Sequence, residues 1–419
     1  MFRQHCNALI DSKNLASSQN ITKPLSDADA LGCMLANFHA TLSNIFIIGQ
    51  KPMALIRQRK LTKQQIRRID KQQLSNQDSI DDSLMDGVVM AHYGKQLEVQ
   101  VTSLPAVIPE QPEIAPDDPE PFWQTLELND IWRCHVRTNL PMLAAGDQVR
   151  WNADSNTGFG RIEAVKPRTS LVSRPDRYHK LKPVAANVDI LAIVFAPLPA
   201  AAPTLIDRYL VVCHHAGVKP LLVLNKADLL AAENGVDTNE LLAQYAALGY
   251  ESVLTSVDCP ENIAESDEQE GLDELKRYID KKLVIFAGQS GVGKSSLINA
   301  LLPDSGQSVN IISQNSKLGQ HTTTTSRLLP FNPEDLTQGG IVDTPGIREY
   351  GIWHLTPDDI ISGFVELAPL AGDCQFRDCR HTHNSKGCAL WQAVADGEVL
   401  QRRVENLVTL REEADTKPY

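Results

Sequence analysis

Short segments of alternating apolar and polar residues recur between residues 87 and 182. Alternation with a period of two is typical of β-strands with one buried face. The segments with this pattern are residues 88–92, 96–102, 131–137, 148–152 and 160–165. So many short strands in one region of this size favour a small Greek-key barrel of the OB type.

The pattern changes after residue 187, where continuous apolar runs alternate with amphipathic segments. The apolar runs predict buried strands at residues 190–196, 219–224, 252–254 and 283–287. The amphipathic segments between and after them predict helices at residues 204–215, 240–248, 272–280 and 297–302. Strands that alternate with helices indicate a parallel α/β sheet. Two further helices are predicted near the C-terminus, at residues 389–396 and 400–411.

These patterns predict a multidomain chain. We expect an extension of unclear status over residues 1–52, a basic arm and linker over 53–86, and the barrel over 87–182. An α/β domain would follow over 183–352, and a helical domain over 353–419. The arm and linker have little apolar content and should be disordered without a partner. One hypothesis is that the working protein begins near Met53.

Composition and charge narrow the class of protein. The chain has 419 residues, of which 42% are hydrophobic and 22% charged, as in ordinary globular proteins. Without an apolar run of membrane length or a signal-peptide pattern, we expect a cytoplasmic protein that binds no membrane.

The distribution of charge matters more than the net value of −12. Seven basic residues lie between residues 57 and 73, and seven more between 161 and 182. Two local basic stretches on an acidic protein favour docking on RNA at defined places, although ordinary solvated surface charge explains them too. The barrel offers Trp132, Trp151, Phe159 and Arg161 as an RNA-binding surface, and core packing explains the aromatic residues equally well.

A phosphate loop of the G-x-x-x-x-G-K-[ST] type follows the apolar run at 283–287. Its residues are Gly288, Gln289, Ser290, Gly291, Val292, Gly293, Lys294, Ser295 and Ser296. A strand, a glycine-rich turn and a helix start are the context that this motif requires. Backbone N–H groups and Lys294 would hold phosphate oxygens, and the Ser295 hydroxyl would bind Mg²⁺.

A guanine-reading element of the N-K-x-D type follows the strand at 219–224. It consists of Asn225, Lys226, Ala227 and Asp228. The Asp228 carboxylate can accept from both the ring N–H and the exocyclic amine of guanine, a donor pair that adenine lacks. Asn225 would touch the base edge or tie loops together. Thr255 and Ser256, after the next strand, are expected to support the guanine oxygen.

The elements that sense the γ-phosphate lie downstream of the phosphate loop. Asp343 and Gly346 define a D-x-x-G element that would hold the Mg²⁺ shell and contact the γ-phosphate. Thr323 and Thr324 are equal candidates for the switch threonine. Position 347 holds Ile where Ras-like enzymes have a water-orienting Gln. Intrinsic hydrolysis should therefore be slow, and His321 is a candidate for positioning water.

The order of these elements is rotated. In ordinary GTPases the guanine element comes last, whereas here it precedes the phosphate loop. The sequence therefore predicts a circularly permuted GTPase domain, which is physically permissible because chain ends in compact domains lie close together.

A compact group of thiols and imidazoles follows the GTPase elements. Cys374, Cys379, His381 and Cys388 lie within a short polar stretch, with His383 as a competing ligand. This spacing is typical of a closed, structural Zn²⁺ site in which metal replaces missing apolar core.

Taken together, these motifs and their order resemble the RsgA (YjeQ) family of circularly permuted GTPases over residues 60–411. The resemblance implies a cytoplasmic, bacterial GTP hydrolase with an OB barrel, a permuted GTPase domain and a zinc-binding domain. It also implies binding to the small (30S) ribosomal subunit and its rRNA late in maturation, release of assembly factors, and subunit-stimulated hydrolysis of GTP to GDP. We expect a monomer. Residues 1–52 and an acidic, proline-rich insert at 105–121 have no clear family counterpart.

Two alternatives remain open from the residues. One is a GTP-gated regulatory module that acts on a protein target instead of rRNA. The other is a P-loop ATPase, for which Asp228 would have no influence on base preference.

Overall fold

The computed structural model describes residues 84–94, 96–105, 126–154, 159–175, 180–232, 237–257, 265–302, 326–344 and 351–415. The expectations for the extension 1–52, the arm and linker up to residue 83, and nearly all of the acidic insert lie outside these residues. Among the described residues, no helix is both long and apolar enough to cross a membrane.

The N-terminal described region is a closed five-stranded barrel, as the alternating pattern predicts. Its strands are β1 (Met85–Tyr93), β2 (Gln96–Ser103), β3 (Ile131–Val136), β4 (Gln148–Asp154) and β5 (Phe159–Val165). The order β1-β2-β3-β5-β4 closes through a β4–β1 pairing, and β3 and β5 are parallel. Inward-facing Val99, Trp151 and Ile162 are fully buried in the barrel core. The barrel begins at Met85, inside the stretch expected to be linker.

A second β-element follows the barrel and crosses the domain boundary expected at residue 182. Strands β6 (Leu171–Pro175) and β7 (Leu181–Ala186) form an antiparallel hairpin. Ala185 of β7 forms a bridge with Ala145 of the barrel, and Asn187 donates a side-chain hydrogen bond of 2.9 Å to the Gly146 carbonyl. The hairpin therefore joins the barrel to the α/β region.

The α/β region carries a sheet in the order β10-β9-β8-β11-β13-β12. Its strands are β8 (Ile190–Phe195), β9 (Lys219–Leu224), β10 (Ser252–Leu254), β11 (Leu283–Gly288), β12 (Arg327–Pro330) and β13 (Gly340–Asp343). Its helices are α1 (Pro203–Ala216), α2 (Thr238–Ala247), α3 (Glu265–Ile279) and α4 (Lys294–Leu301), with short 3₁₀ turns at Ala227–Ala232 and Leu336–Gln338.

The strands that the pattern predicts are parallel, as expected, and the sheet also contains an antiparallel strand, β12, that the pattern does not predict. This strand is antiparallel to β13, and its other edge pairs with β1 of the barrel at Ala91 and Arg327. The two regions thereby form one eleven-stranded sheet. A strand this short carries too few residues to show a period, which is why the sequence pattern misses it.

The C-terminal region is helical, with α5 (Pro357–Ser362), α6 (Ala368–Ala371), α7 (Ala389–Ala395) and α8 (Gln401–Asp415). Pro at the first position and a Thr356–Asp359 capping box start α5. Buried Phe364, Leu390 and Leu407 belong to the same apolar cluster as helix α1 and one face of the sheet. The C-terminal helices therefore pack on the α/β region through a shared core.

A buried polar network adds to this packing. The Asp207 carboxylate of α1 is fully buried and accepts hydrogen bonds from Arg403 and Asn406 of α8 and from the Tyr245 hydroxyl of α2. Arg403 also forms a bidentate pair with Glu366, at 2.5 and 2.9 Å. Buried charges are tolerated when they are paired in this way.

Candidate nucleotide and metal sites

The phosphate loop has the backbone conformation that its glycines allow. Gly288 ends β11 with a φ of +142°, and a Cβ there would lie 2.0 Å from the Val194 carbonyl oxygen. Gly293 has a φ of +92° immediately before α4, and its Cβ would lie 2.2 Å from Nδ2 of Asn225. Side chains are excluded at both positions by close approach as well as by backbone conformation.

Lys294, at the first turn of α4, directs its ammonium group back over the loop. Its Nζ donates to the carbonyl oxygens of Gly288 at 2.9 Å and Gln289 at 2.6 Å. The helix N-terminus and the ammonium therefore concentrate positive charge at one place, which suits an anion.

The guanine-type element is hydrogen-bonded to the phosphate loop. Asn225 is buried, and its Nδ2 donates to the Val292 carbonyl at 2.9 Å while its Oδ1 accepts from Thr255 Oγ1 at 3.0 Å. Lys226, with a φ of +58°, donates to the Gly291 carbonyl at 2.7 Å. Of the two roles expected for Asn225, this geometry matches the one that ties loops together.

The Thr255–Ser256 loop lies beside Asp228. Strands β9 and β10 are parallel neighbours, so their carboxyl ends share one edge of the sheet. The Ser256 hydroxyl donates to the Asp228 carboxylate at 2.5 Å, and the Ala227 N–H donates to the Thr255 carbonyl at 3.1 Å. The two stretches that the sequence assigned to base recognition are thus in contact.

Asp343 ends β13, the parallel neighbour of β11, at the same edge of the sheet. Burial raises the pKa of its carboxyl group, and a hydrogen bond with the Thr344 backbone opposes that shift. A carboxylate on this strand and the Ser295 hydroxyl offer the hard oxygen ligands that Mg²⁺ prefers. The other predicted residues of this element, His321, Thr323, Thr324, Gly346 and Ile347, lie outside the described residues.

The four predicted metal ligands converge in the C-terminal region. One donor atom each from Cys374, Cys379, His381 and Cys388 lies within 4.8 Å of the others. The Cys374 and Cys388 sulfurs are 4.0 Å apart and lie 3.6 and 3.5 Å from Nδ1 of His381. Neighbouring ligands around a tetrahedral Zn²⁺ are separated by about 3.5–3.8 Å, given its bond lengths. The donor set therefore fits a zinc ion.

His381, and not the competing His383, belongs to this cluster. His381 has a φ of +58°, and its carbonyl accepts a 2.8 Å hydrogen bond from the Trp391 indole. The His383 ring instead contacts the Trp391 ring, with centroids 4.7 Å apart. Burial, with a smaller effect of Arg411, lowers the pKa of His381 to about 4, so its imidazole is neutral and able to bind metal at pH 7.

For the barrel aromatics the sequence left two roles open, RNA binding and core packing. Trp151 is fully buried in the barrel core, so core packing is its role and it offers no surface to RNA. Trp151 lies two residues after buried Val149 on β4, so both side chains are on the inward face of the strand. Phe159 is partly exposed and contacts the His135 ring at 5.0 Å, and Arg161 is paired with Glu163.

Part of the second basic stretch is neutralised within the fold. Arg168 forms a bidentate pair with fully buried Asp147, with both nitrogen–oxygen distances 2.7 Å. Lys166 is paired with Asp86 at 2.9 Å. These two cations stabilise the barrel, so the count of basic residues overstates the charge presented to a partner.

Comparisons with known proteins find a matching family model and similar sequences. The family model described as RsgA GTPase matches residues 165–353. A protein of Pseudomonas putida named small ribosomal subunit biogenesis GTPase RsgA is 43% identical over 320 residues, which cover 76% of this chain and 83% of that protein. The protein of the same name from Pseudomonas fluorescens is 44% identical over 320 residues, with shares of 76% and 83%.

Solved structures show similar folds. The crystal structure of YjeQ from Thermotoga maritima matches with a TM-score of 0.56 at 28% identity, covering 80% of this chain and 100% of that one. The crystal structure of YloQ, described as a circularly permuted GTPase, matches with a TM-score of 0.53 at 26% identity, covering 80% and 97%.

Proposed function

The chain belongs to the RsgA family of circularly permuted GTPases, and from this premise we propose that it hydrolyses GTP on the small ribosomal subunit during late maturation. GTP hydrolysis is the activity of the family. The proposal includes the small subunit with its rRNA as the partner, stimulation of hydrolysis by that subunit, and release of assembly factors. It also includes action as a monomer in the cytoplasm.

One observation carries the nucleotide part of the proposal. Asn225 and Lys226 are hydrogen-bonded to the phosphate loop at Val292 and Gly291, so the elements expected to read the base and to hold the phosphates are in contact although the chain order is permuted. We assign guanine recognition to the residues of the N-K-x-D element and its supporting loop, namely Asn225, Lys226, Ala227, Asp228, Thr255 and Ser256. An acceptor carboxylate at Asp228 discriminates against adenine because that base leaves it unpaired.

The phosphate loop, Gly288 to Ser296, would hold the α-, β- and γ-phosphates through backbone N–H groups and Lys294. Water attacks the γ-phosphorus in line with the leaving oxygen, and positive charge at Lys294 stabilises the charge that spreads over the phosphoryl oxygens. Ser295 and Asp343 would hold Mg²⁺, directly or through water, which when bound neutralises phosphate charge. Thr323, Thr324, Gly346 and His321 keep their expected roles as proposals.

A structural Zn²⁺ held by Cys374, Cys379, His381 and Cys388 would fasten the loop between α6 and α7. Three thiolates and one imidazole fill a tetrahedral shell, which leaves no position for substrate. The barrel and this region would contact rRNA. The chain runs from Asp343 directly into the C-terminal region, so the nucleotide state can influence how that region contacts the ribosome.

The test is steady-state turnover of GTP with and without purified small subunits, with large subunits and ATP as controls. We expect small subunits alone to accelerate GTP turnover and to co-sediment with the protein. An Asp228→Asn variant should lose its preference for GTP over ATP, and Lys294→Ala should lose turnover. Absence of both stimulation and co-sedimentation would contradict the ribosomal part, and would favour a GTP-gated module with a protein target.

A further inference from the structure

The outer face of strands β3 and β5 carries exposed cations together with two aromatic rings. Cys134 of β3 and Ile162 of β5 are fully buried in the barrel core. Because side chains alternate along a strand, His135, Phe159 and Arg161 lie on the opposite, outer face. The two strands are parallel neighbours, and His135 is paired directly with Arg161. This face therefore lies apart from the nucleotide elements and the metal ligands described above.

The rings of His135 and Phe159 form a pair on this face. Their centroids are 5.0 Å apart with an interplanar angle of 61°, an edge-to-face arrangement. His135 is exposed and Phe159 is partly exposed, so the pair reaches solvent. Aromatic rings at the surface of a β-barrel can stack on unpaired bases, since every base has a flat π surface. A double helix keeps its bases stacked internally and does not offer these surfaces.

Two guanidinium groups lie beside the ring pair and share one carboxylate. Arg161 and Arg137 both form ion pairs with Glu163, and the distance from Arg137 is 3.1 Å. The side chains of Arg161 and Arg137 are 61% and 57% exposed, whereas that of Glu163 is 15% exposed. One carboxylate cannot neutralise two guanidinium groups, and here the cations are the outermost groups. The face therefore presents net positive charge to an anionic partner.

Other cations of the barrel contribute less to this charge. Arg133 is exposed on the same face, but it is paired in the register with Glu98 of β2, whose carboxylate offsets its charge. Lys166 and Arg168 are paired with carboxylates elsewhere in the barrel region. The excess positive charge of the face thus comes from the two arginines that share Glu163.

We propose that this ring–arginine face, defined by His135, Phe159, Arg137 and Arg161, binds an unpaired segment of RNA. At least one base would stack on the ring pair, and the guanidinium groups would contact neighbouring phosphates. The assignment rests on the proposed function, because it specifies which surface of the barrel meets the rRNA and in which form. Trp132 has no part in it, since that side chain packs against the barrel core.

The test is fluorescence anisotropy with the full-length protein and a short labelled single-stranded RNA of mixed sequence, compared with the blunt duplex of the same sequence. Wild type should bind the single strand about fivefold more tightly than the duplex. Phe159→Leu keeps an apolar side chain but removes the π surface, and should weaken single-strand binding by about tenfold, the loss expected for one stacked base. Phe159→Trp restores a π surface and should bind within about twofold of wild type.

Arg161→Gln tests the cationic part of the face. The slope of log affinity against log salt should decrease in magnitude by about 0.7, the contribution of one phosphate contact on a single strand. Lys219→Ala is the matched control, because Lys219 is also an exposed cation and is paired with Glu251 at 2.5 Å, but it lies on β9 of the α/β region. This variant should keep the affinity and the salt dependence of wild type. An equal loss in Lys219→Ala would overturn the proposal.

Co-sedimentation with purified small subunits separates this proposal from the proposed function. Phe159→Leu should co-sediment less than wild type. If wild type co-sediments, and Phe159→Leu and Arg161→Gln bind single-stranded RNA and small subunits as wild type does, only the assignment of the ring–arginine face fails. A wild-type protein that prefers the duplex would overturn the unpaired form of the ligand. If wild type binds neither RNA nor small subunits, the ribosomal part of the proposed function fails as well.

Discussion

Replacing Asp207 with alanine removes the acceptor at the centre of the network that joins helix α1 to the C-terminal region. Asp207 is fully buried and Arg403 is 1% exposed, so neither charge has water as an alternative partner. The substitution leaves the Tyr245 hydroxyl and the Asn406 amide without their acceptor as well. The cost therefore includes a buried guanidinium that keeps Glu366 as its partner but loses Asp207, and an Asn406 amide that loses its carboxylate acceptor. The Tyr245 hydroxyl keeps only a 3.4 Å contact with the Pro203 carbonyl.

The expected loss of unfolding free energy depends on the partner that Arg403 keeps. Removal of one partner of a buried ion pair destabilises by about 3–5 kcal/mol. Arg403 keeps its bidentate contact with Glu366, at 2.5 and 2.9 Å, which places the expected loss at the lower end. A loss of about 3 kcal/mol lowers the melting temperature of a cooperative unit of this size by roughly 6–12 °C.

The assay is thermal unfolding followed by circular dichroism in the absence of nucleotide. Glu413→Gln is the control, because Arg208 and Glu413 pair across the same two helices but are partly exposed, at 19% and 37% of the side-chain surface. A pair of this kind contributes at most about 1 kcal/mol. Equal shifts in Asp207→Ala and Glu413→Gln would refute the reasoning that burial makes the network essential.

Three further predictions concern the loop, acid stability and the metal. Gly293→Ala and Gly291→Ala both place alanine at a positive φ, but only the Cβ at position 293 meets Asn225. In a GDP titration, Gly293→Ala should therefore lose affinity by tenfold or more, and Gly291→Ala should not. Burial, with a smaller effect of a neighbouring histidine, lowers the pKa of His354 to about 4 from 6.5. The neutral form of His354 is favoured in the folded state, so the side chain contributes stability that is present above pH 6.5 and is lost as the pH falls towards 4. In denaturant titrations over that pH range, a His354→Gln variant should lose less unfolding free energy than wild type. Cys388→Ser should reduce bound zinc, measured by atomic absorption, from one equivalent to a small fraction, and should lower the melting temperature. Wild type treated with chelator should melt at the same temperature as this variant.

The chemistry-bearing motifs could be predicted because each is local in sequence. Gly288 to Lys294 form a strand, a turn and a helix start whose contacts lie within a few residues. The four zinc-type ligands lie on one short stretch, where spacing alone restricts the geometry. The choice between His381 and His383 also followed the spacing, and the structure adds that Trp391 is bonded to the His381 carbonyl while its ring contacts His383.

Features that depend on distant partners could not be predicted in the same way. Trp151 on an alternating strand fits a surface platform or a core, and only the closure of the barrel decides that it points inward. Arg168 counts as a basic surface residue until Asp147 is placed beside it. Strand β12 is short and pairs with β1, which is remote in the chain. The hairpin formed by β6 and β7 is also short, and Ala185 bridges to Ala145 of the barrel region.

By itself, the sequence determined the kinds of element, the set of nucleotide and zinc motifs, and their permuted order, since these depend on local spacing and periodicity. The tertiary structure decided how they act together. It placed Asn225 and Lys226 in hydrogen-bond contact with the phosphate loop, joined the barrel and the α/β strands in one sheet, and brought Asp207 of helix α1 beside Arg403 of helix α8. The physical reason is that hydrogen bonds and burial between segments far apart in the chain depend on the whole packing arrangement, which no local pattern specifies.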